Sequence, residues 1–155
     1  MNEKIIELLN KARARELTAI VQYMHQHYKL EDTDFGKLAK KMKQIAIVEM
    51  KHAEALAERI LFLGGVPSAK LESEIVKNQT IPEMLATNEK LEQGAIDLYN
   101  EAAAVCAQER DQVTKELFDK LVADETDHID DFQNIKDHVE KLGDVYLATL
   151  IGDAE

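Results

Sequence analysis

Apolar residues recur every three or four positions in four long segments of the chain, which is the spacing of one face of an α-helix. The pattern predicts helices at 2–30, 34–63, 81–108 and 111–142, and a short apolar segment predicts a fifth at 145–151. The second helix is predicted to begin at Asp34 and to stop at Gly64. The fifth is too short to be stable alone, so we expect it to pack against the other helices or another subunit.

The segment between the second and third predicted helices, residues 65–80, loses helical periodicity and contains Pro67. It is longer than the ~2–8 residues that usually join neighbouring helices. In an extended conformation it reaches ~50 Å, the length of a long helix. The third helix is therefore predicted to start parallel to the second. The fold class that follows is all-α, a single domain over residues 1–155 forming a four-helix bundle with one long crossover and a short fifth helix.

A motif of acidic residues and histidine occurs twice, with the second copy displaced by 76 positions. Each copy has a Glu, then a Glu-x-x-His motif that begins 33 positions later. The six residues are Glu16, Glu49 and His52 in the first half, and Glu92, Glu125 and His128 in the second. Two tyrosines, Tyr23 and Tyr99, are related by the same displacement. The chain is therefore predicted to consist of two similar helical hairpins.

Each of the four long helices carries one of these glutamates on its apolar face, and the second and fourth each add a histidine one turn later. Burying isolated carboxylates costs several kcal/mol each. Two imidazoles are too few to neutralise four carboxylates, whereas two divalent cations leave no net charge. Di-iron carboxylate bundles use this set of ligands. The six residues therefore predict a dinuclear metal site inside the bundle.

The charge balance and the cysteine content exclude several classes of protein. The chain has 30 acidic and 19 basic residues, a net charge of −11, which disfavours nucleic acid and membrane phosphate. The lone Cys106 excludes an intrachain disulfide and any CxxC or four-cysteine metal centre. We find no signal-peptide pattern at the N-terminus and no apolar run of the ~20 residues that span a membrane. We therefore expect a cytoplasmic protein.

Several motifs resemble those of the bacterioferritins over nearly the whole chain. They are Glu49-Met50-Lys51-His52-Ala53-Glu54, the segment 58–63, the segment 16–23, Asp124-Glu125 with His128, and Tyr146-Leu147. The resemblance implies a ferritin-like fold in which two iron ions per subunit are oxidised from Fe(II) by oxygen or peroxide. It also implies a hollow shell of 24 subunits, built from two-fold dimers, that stores iron as mineral. A ferredoxin-type protein is the electron donor that the resemblance suggests.

By the same resemblance, each of the six motif residues has a role. Glu16 and His52 would bind one iron and Glu92 and His128 the other, while Glu49 and Glu125 would bridge them. Tyr23 looks like the family's tyrosine that hydrogen-bonds a ligand carboxylate. Tyr99 occupies the repeat-related place, where the family does not require a tyrosine, so it is either a similar partner or a core aromatic residue.

Met50 lies one residue after Glu49, so it points away from the metal layer, by ~100° around the helix. It belongs to a second apolar face, which is typical of a helix that packs against a partner. From the residues alone, Met50 indicates interface packing. The resemblance implies instead that Met50 and its symmetry mate ligate a haem across a two-fold interface.

Two positions depart from the family. Gln44 and Val48 stand where many bacterioferritins carry a His and an Asp that bind iron on the cavity side. Since Val48 cannot ligate a metal, we expect oxidation at the metal centre to survive, while the route of iron to the mineral differs.

Two other functions share parts of this pattern. A rubrerythrin-like peroxidase has the duplicated bundle, but it usually relies on a four-cysteine iron domain that Cys106 alone cannot form. A non-enzymatic assembly protein or DNA-protecting protein would use metals only to stabilise the bundle. The acidic charge and the lack of a basic tail argue against the DNA-protecting function.

Overall fold

The computed structural model describes residues 2–154, which form five α-helices and contain no β-strand. The helices are α1 (Glu3–Asp32), α2 (Gly36–Phe62), α3 (Ile81–Gln108), α4 (Gln112–Leu142) and α5 (Asp144–Ala148). Helix α1 packs along α2 and α3 along α4, while α1 also contacts α3. The predicted all-α four-helix bundle with a short C-terminal helix is confirmed. The ends of the predicted domain, residues 1 and 155, lie outside the described range.

None of the described helices has a stretch long and apolar enough to cross a membrane.

The turn between α1 and α2 differs from the one that the sequence predicted. Asp34 has φ +66°, a left-handed conformation that cannot serve as a helix N-cap, so α2 begins at Gly36 and not at 34. At the other end, Gly64 has φ +88°, and the N–H of Gly65 donates to the carbonyl of Ile60, which terminates α2 as predicted. Asp111 caps α4 by accepting a hydrogen bond from the N–H of Thr114.

The crossover between α2 and α3 has no regular secondary structure, and side chains of α1 supply hydrogen bonds to its backbone. From the start of α1 onward, Asn10 bonds Val66 and Ser68, Arg13 bonds Ser68, Thr18 bonds Glu72 and Gln22 bonds Val76. These residues are spaced by three to five positions and lie along one face of α1. The crossover therefore runs in the direction of α1, and α3 starts parallel to α2, as the predicted topology requires.

A polar layer divides the core of the bundle into two apolar clusters. Along α1, Leu9 and Ala12 belong to one cluster and Ala19 and Tyr23 to the other, with Glu16 between them. Ile20 is only half-buried because Ala19 takes the core position. The layer between the clusters contains the six predicted metal ligands.

The end of the chain packs against the second cluster. Helix α5 covers 144–148 instead of the predicted 145–151, and Tyr146, Leu147 and Leu150 contact the core. The N–H of Gly152 donates to the carbonyl of Asp34 at 2.8 Å. A Cβ at Gly36 would collide with the carbonyl of Gly152, so this close approach requires glycine at 36.

Candidate metal centre

The structure brings the six predicted ligand residues together at the middle of the bundle. Glu16 lies on α1, Glu49 and His52 on α2, Glu92 on α3, and Glu125 and His128 on α4. All are buried, and the most exposed, His128, retains 7% of its accessible surface. Each helix thus contributes one carboxylate, as the periodicity predicted.

The ligand atoms form two overlapping groups, in each of which all the atoms lie within 4.8 Å of one another. One group contains Glu16 and His52, and the other contains Glu92 and His128. Glu49 and Glu125 belong to both. Two carboxylates shared between two groups are the arrangement that two adjacent metal ions require.

The two halves of the site correspond to the two copies of the sequence repeat, and their distances agree closely. Nδ1 of His52 lies 2.9 Å from Oε1 of Glu125, and Nδ1 of His128 lies 2.8 Å from Oε1 of Glu49. The distances from the same nitrogens to Oε1 of Glu16 and of Glu92 are 3.5 and 3.7 Å. The site therefore reproduces the sequence repeat in its geometry.

Both tyrosines contact the site, each bonding the carboxylate of the other hairpin. The hydroxyl of Tyr23 donates to Oε1 of Glu92, and that of Tyr99 donates to Oε1 of Glu16, both at 2.6 Å. Of the two alternatives for Tyr99, the structure thus favours a partner of a ligand carboxylate over a plain core aromatic residue. Each tyrosine holds one carboxylate oxygen and leaves the other free.

Six buried side-chain atoms of this layer form no hydrogen bond of acceptable geometry with the described residues, although Nδ1 of each histidine lies within 2.9 Å of a glutamate oxygen. They are Glu16 Oε2, Glu49 Oε1, His52 Nδ1, Glu92 Oε2, Glu125 Oε1 and His128 Nδ1. Buried polar atoms are paired in most proteins, so six that converge on one point indicate a missing partner. Carboxylate oxygens and imidazole nitrogens are ligands for iron and similar divalent ions. The residues present therefore fit a pair of such ions.

Burial and neighbouring charges shift the pKa values of several ligand residues. Burial raises the pKa of Glu49 well above its usual value, and the nearby charge of Glu16 adds to this effect. Burial also raises the pKa of Glu125. For His52, burial lowers the pKa, but the carboxylates of Glu125 and Glu16 outweigh it and raise the pKa to about 10. Metal ions must displace these protons, so metal affinity rises with pH.

Sequence reasoning gave no role to Asp124, which contacts the site from outside. Its Oδ2 lies 2.8 Å from Nε2 of His52, the ring nitrogen that faces away from the carboxylates. Oδ2 also accepts a 3.0 Å bond from Lys120, whose side chain is mostly exposed. The only signal in the sequence was its place beside Glu125 in a motif of the resemblance.

Arg15 also contacts the site's surroundings without having been predicted. Its guanidinium bonds Glu72 of the crossover and the carbonyl of Leu91 on α3. A Cβ at Gly94 would collide with this guanidinium, so the glycine makes room for it. Arg15 therefore ties α1, α3 and the crossover together next to the metal layer.

Comparison with known proteins places the chain in a family. Residues 6–142 match the ferritin-like domain family. A bacterioferritin of Desulfovibrio desulfuricans is 46% identical over 96% of this chain and 83% of its own length. One of Brucella melitensis is 38% identical over 91% of this chain and 88% of its own length.

The chain belongs to the bacterioferritin family.

Solved bacterioferritin structures have the same fold. An X-ray structure of the Desulfovibrio desulfuricans protein, described as showing the diiron site in different catalytic states, matches with a TM-score of 0.95 at 46% identity. The match covers 97% of this chain and 88% of that one. A Mycobacterium tuberculosis bacterioferritin matches with a TM-score of 0.94 at 29% identity, over 98% of this chain and 96% of that one.

The structure places the remaining residues singled out by the bacterioferritin resemblance away from the ligand groups. Met50 is 54% exposed and lines a shallow apolar pocket on α1 and α2. The other lining residues are Ile20, Met24, Lys43, Ala46 and Ile47. Gln44 is exposed and Val48 is half-buried.

Proposed function

We propose that this bacterioferritin is a ferroxidase that oxidises Fe(II) to Fe(III) at the intra-bundle centre and stores the product as mineral. The observation that carries the proposal is the convergence of six buried, unpartnered ligand atoms in two groups that share two carboxylates. The family to which the chain belongs supports the same function.

The proposed ligands follow the two groups of atoms. Glu16 and His52 would hold one iron ion, Glu92 and His128 the other, and Glu49 and Glu125 would bridge them. Tyr23 and Tyr99 would fix the orientation of Glu92 and Glu16, since their hydroxyls already occupy one oxygen of each carboxylate. These eight residues form the proposed catalytic site.

Two Fe(II) ions bound by these residues would supply one electron each. With two protons, these two electrons would reduce oxygen to hydrogen peroxide, or hydrogen peroxide to two molecules of water. The residues of the chain set the conditions for this reaction. Four carboxylates offset the rise in metal charge on oxidation. The two apolar clusters above and below the layer limit access of water. The Tyr hydroxyls keep the carboxylates from rotating.

We further propose that the chain assembles into a cytoplasmic shell, built from two-fold dimers and containing 24 subunits. Mineral storage requires an enclosed volume that a single bundle lacks. A ferredoxin-type protein would supply electrons to return stored Fe(III) to Fe(II).

Metal content measured together with native mass tests the site and the shell. We expect two iron ions per subunit in protein loaded anaerobically and a native mass of 24 subunits. In air, the loaded protein should form Fe(III) rapidly. A monomer or dimer that binds two ions would contradict the shell and leave the metal site supported.

A haem site is the second part of the proposal, with Met50 as axial ligand. The thioether of Met50 lies at the surface, in an apolar pocket whose lining comes from both α1 and α2. Ile47, which also lines this pocket, and Val21 on α1 are exposed as well, at 39% and 40%. A second copy of the chain would cover this apolar face, and the Met50 side chains of the two copies would hold the haem there.

Absorption spectroscopy of protein produced with haem available tests this site. We expect a Soret band in the wild type at one haem per dimer, and its loss in Met50→Leu, because leucine keeps the apolar volume and removes the sulfur. The exposed Met50 does not touch the metal centre, so ferroxidase activity should be unchanged in the variant. A wild type that is colourless at full ferroxidase activity would refute the haem site alone.

A further inference from the structure

The two halves of the metal centre agree in every contact described above except one. The Nδ1 distances to the carboxylates differ by at most 0.2 Å between the halves, and the two Tyr–Glu bonds are equal. The exception is the outer nitrogen of the histidines. Nε2 of His52 bonds Asp124, whereas no hydrogen bond from the described residues reaches Nε2 of His128.

The sequence repeat explains this difference. Displacing Asp124 by the 76 positions of the repeat leads to Val48, just as His128 is related to His52. A valine at that place has no polar atom to accept a proton from the imidazole. The asymmetry is therefore encoded in the chain by one residue.

We propose that the two metal positions are unequal, and that the position at Glu16 and His52 binds a divalent cation more tightly than the position at Glu92 and His128. The inference rests on the proposed function and adds an order of filling to it. Asp124 is a positioning residue in this scheme, since it acts through His52.

The physical reason is the control that Asp124 exerts over the His52 ring. By accepting a hydrogen bond from Nε2–H, its carboxylate keeps a proton on Nε2, so the proton that a metal ion displaces is the one on Nδ1, the nitrogen that faces the glutamates. It also fixes the ring orientation before a metal arrives. Loss of such a partner typically costs ~10–100-fold in metal affinity.

His128 lacks this control. Its ring is stacked near that of His52, with centroids 6.4 Å apart, and its side chain is 9% exposed compared with 4% for His52. Either tautomer is available to it, and one of them places the proton on Nδ1, where it blocks the metal. His128 is therefore less pre-organised for metal binding than His52.

Titration of metal-free protein with Co(II), followed by absorption and calorimetry, tests the inequality. The wild type should bind two ions per subunit in two steps whose affinities differ by ~10–100-fold. At one equivalent of Co(II), anomalous diffraction should place most of the metal beside Glu16 and His52. Equal occupancy of the two positions would overturn the inference.

Two variants test whether Asp124 and Val48 cause the difference in affinity between the two metal positions. Asp124→Ala should weaken the tighter step by ~10–100-fold, so that the two steps merge. Val48→Asp should strengthen the weaker step by a similar factor, because it restores a partner for Nε2 of His128. Asp127→Ala, which removes an exposed carboxylate from the same helix, should leave both steps unchanged.

The outcomes separate this inference from the proposed function. Two steps of equal affinity that Asp124→Ala does not change would refute the inequality and leave the ferroxidase proposal standing. A wild type that binds no Co(II) would refute the metal site and the inequality with it. Circular dichroism and native mass check that each variant folds and assembles, and the wild-type diffraction result stands even where a variant does not fold.

Discussion

Replacing Glu49 by alanine is expected to lower the rate of Fe(II) oxidation by more than ~100-fold, beyond the ~10–100-fold loss typical for an outer partner of a ligand. Glu49 belongs to both groups of ligand atoms, so the change removes an oxygen from each proposed metal position at once. It also leaves Nδ1 of His128 without the carboxylate at 2.8 Å. Stopped-flow absorption after mixing anaerobically loaded protein with air measures the effect.

Glu54→Ala is the matched control, since Glu54 is an exposed glutamate on the same helix α2. This variant should oxidise Fe(II) at the wild-type rate and bind two ions per subunit. The His128→Ala variant should lose fast oxidation as Glu49→Ala does. If both Glu49→Ala and His128→Ala kept the wild-type rate, oxidation would have to occur elsewhere and the proposed centre would be wrong.

Asn88→Leu is expected to destabilise the bundle by about 2–4 kcal/mol, since it removes the nearest hydrogen-bond partner of two buried polar atoms at ~1–3 kcal/mol each. Asn88 and Gln26 are buried between α1 and α3 and bond each other twice, Nε2 to Oδ1 and Nδ2 to Oε1, both at 2.8 Å. Leucine preserves the approximate shape of Asn88, so the loss comes from the unpaired amide of Gln26. The melting temperature should fall by ~5–15 °C in metal-free protein at fixed concentration.

The double variant Gln26→Leu/Asn88→Leu isolates the cause, because replacing both partners by apolar groups can be nearly neutral. We expect it to recover at least half of the lost melting temperature, a non-additivity that a simple packing defect would not produce. Asn100→Leu, at an exposed position of α3, is the control and should change stability by less than ~0.5 kcal/mol. A double variant less stable than Asn88→Leu would contradict the role of the amide pair.

The metal centre was predictable because burial and charge conflict within one pattern. The repeat placed Glu16, Glu49, Glu92 and Glu125 on apolar helix faces, and such carboxylates need a counter-charge wherever the helices meet. The resemblance then supplied the pairing of ligands into two groups, and the geometry has the same pairing. Helix ends were also predictable from single residues. Gly64 ends α2 because a residue in a left-handed conformation stops a helix in any surroundings.

Contacts that depend on the relative position of helices were not predictable. Tyr99 bonds Glu16 across 83 positions, and nothing in the periodicity of either helix specifies that distance. The polar residues of α1 that bond the crossover could not be told apart from ordinary surface residues in the sequence. Their role depends on the crossover running along α1. Asp34 was predicted to begin α2, but in the folded turn it adopts a left-handed conformation that the sequence did not indicate.

The sequence by itself determined that this chain is a duplicated helical bundle with a dinuclear ligand set, because helical spacing and the energetic cost of buried charge are properties of short segments. Only the tertiary structure decided that the two halves are unequal. The hydrogen bond between His52 and Asp124 joins α2 to α4, and the related bond to His128 is absent because Val48 has no polar side-chain atom to form it. Such a contact exists only when both helices are in place, so no pattern along one of them reveals it.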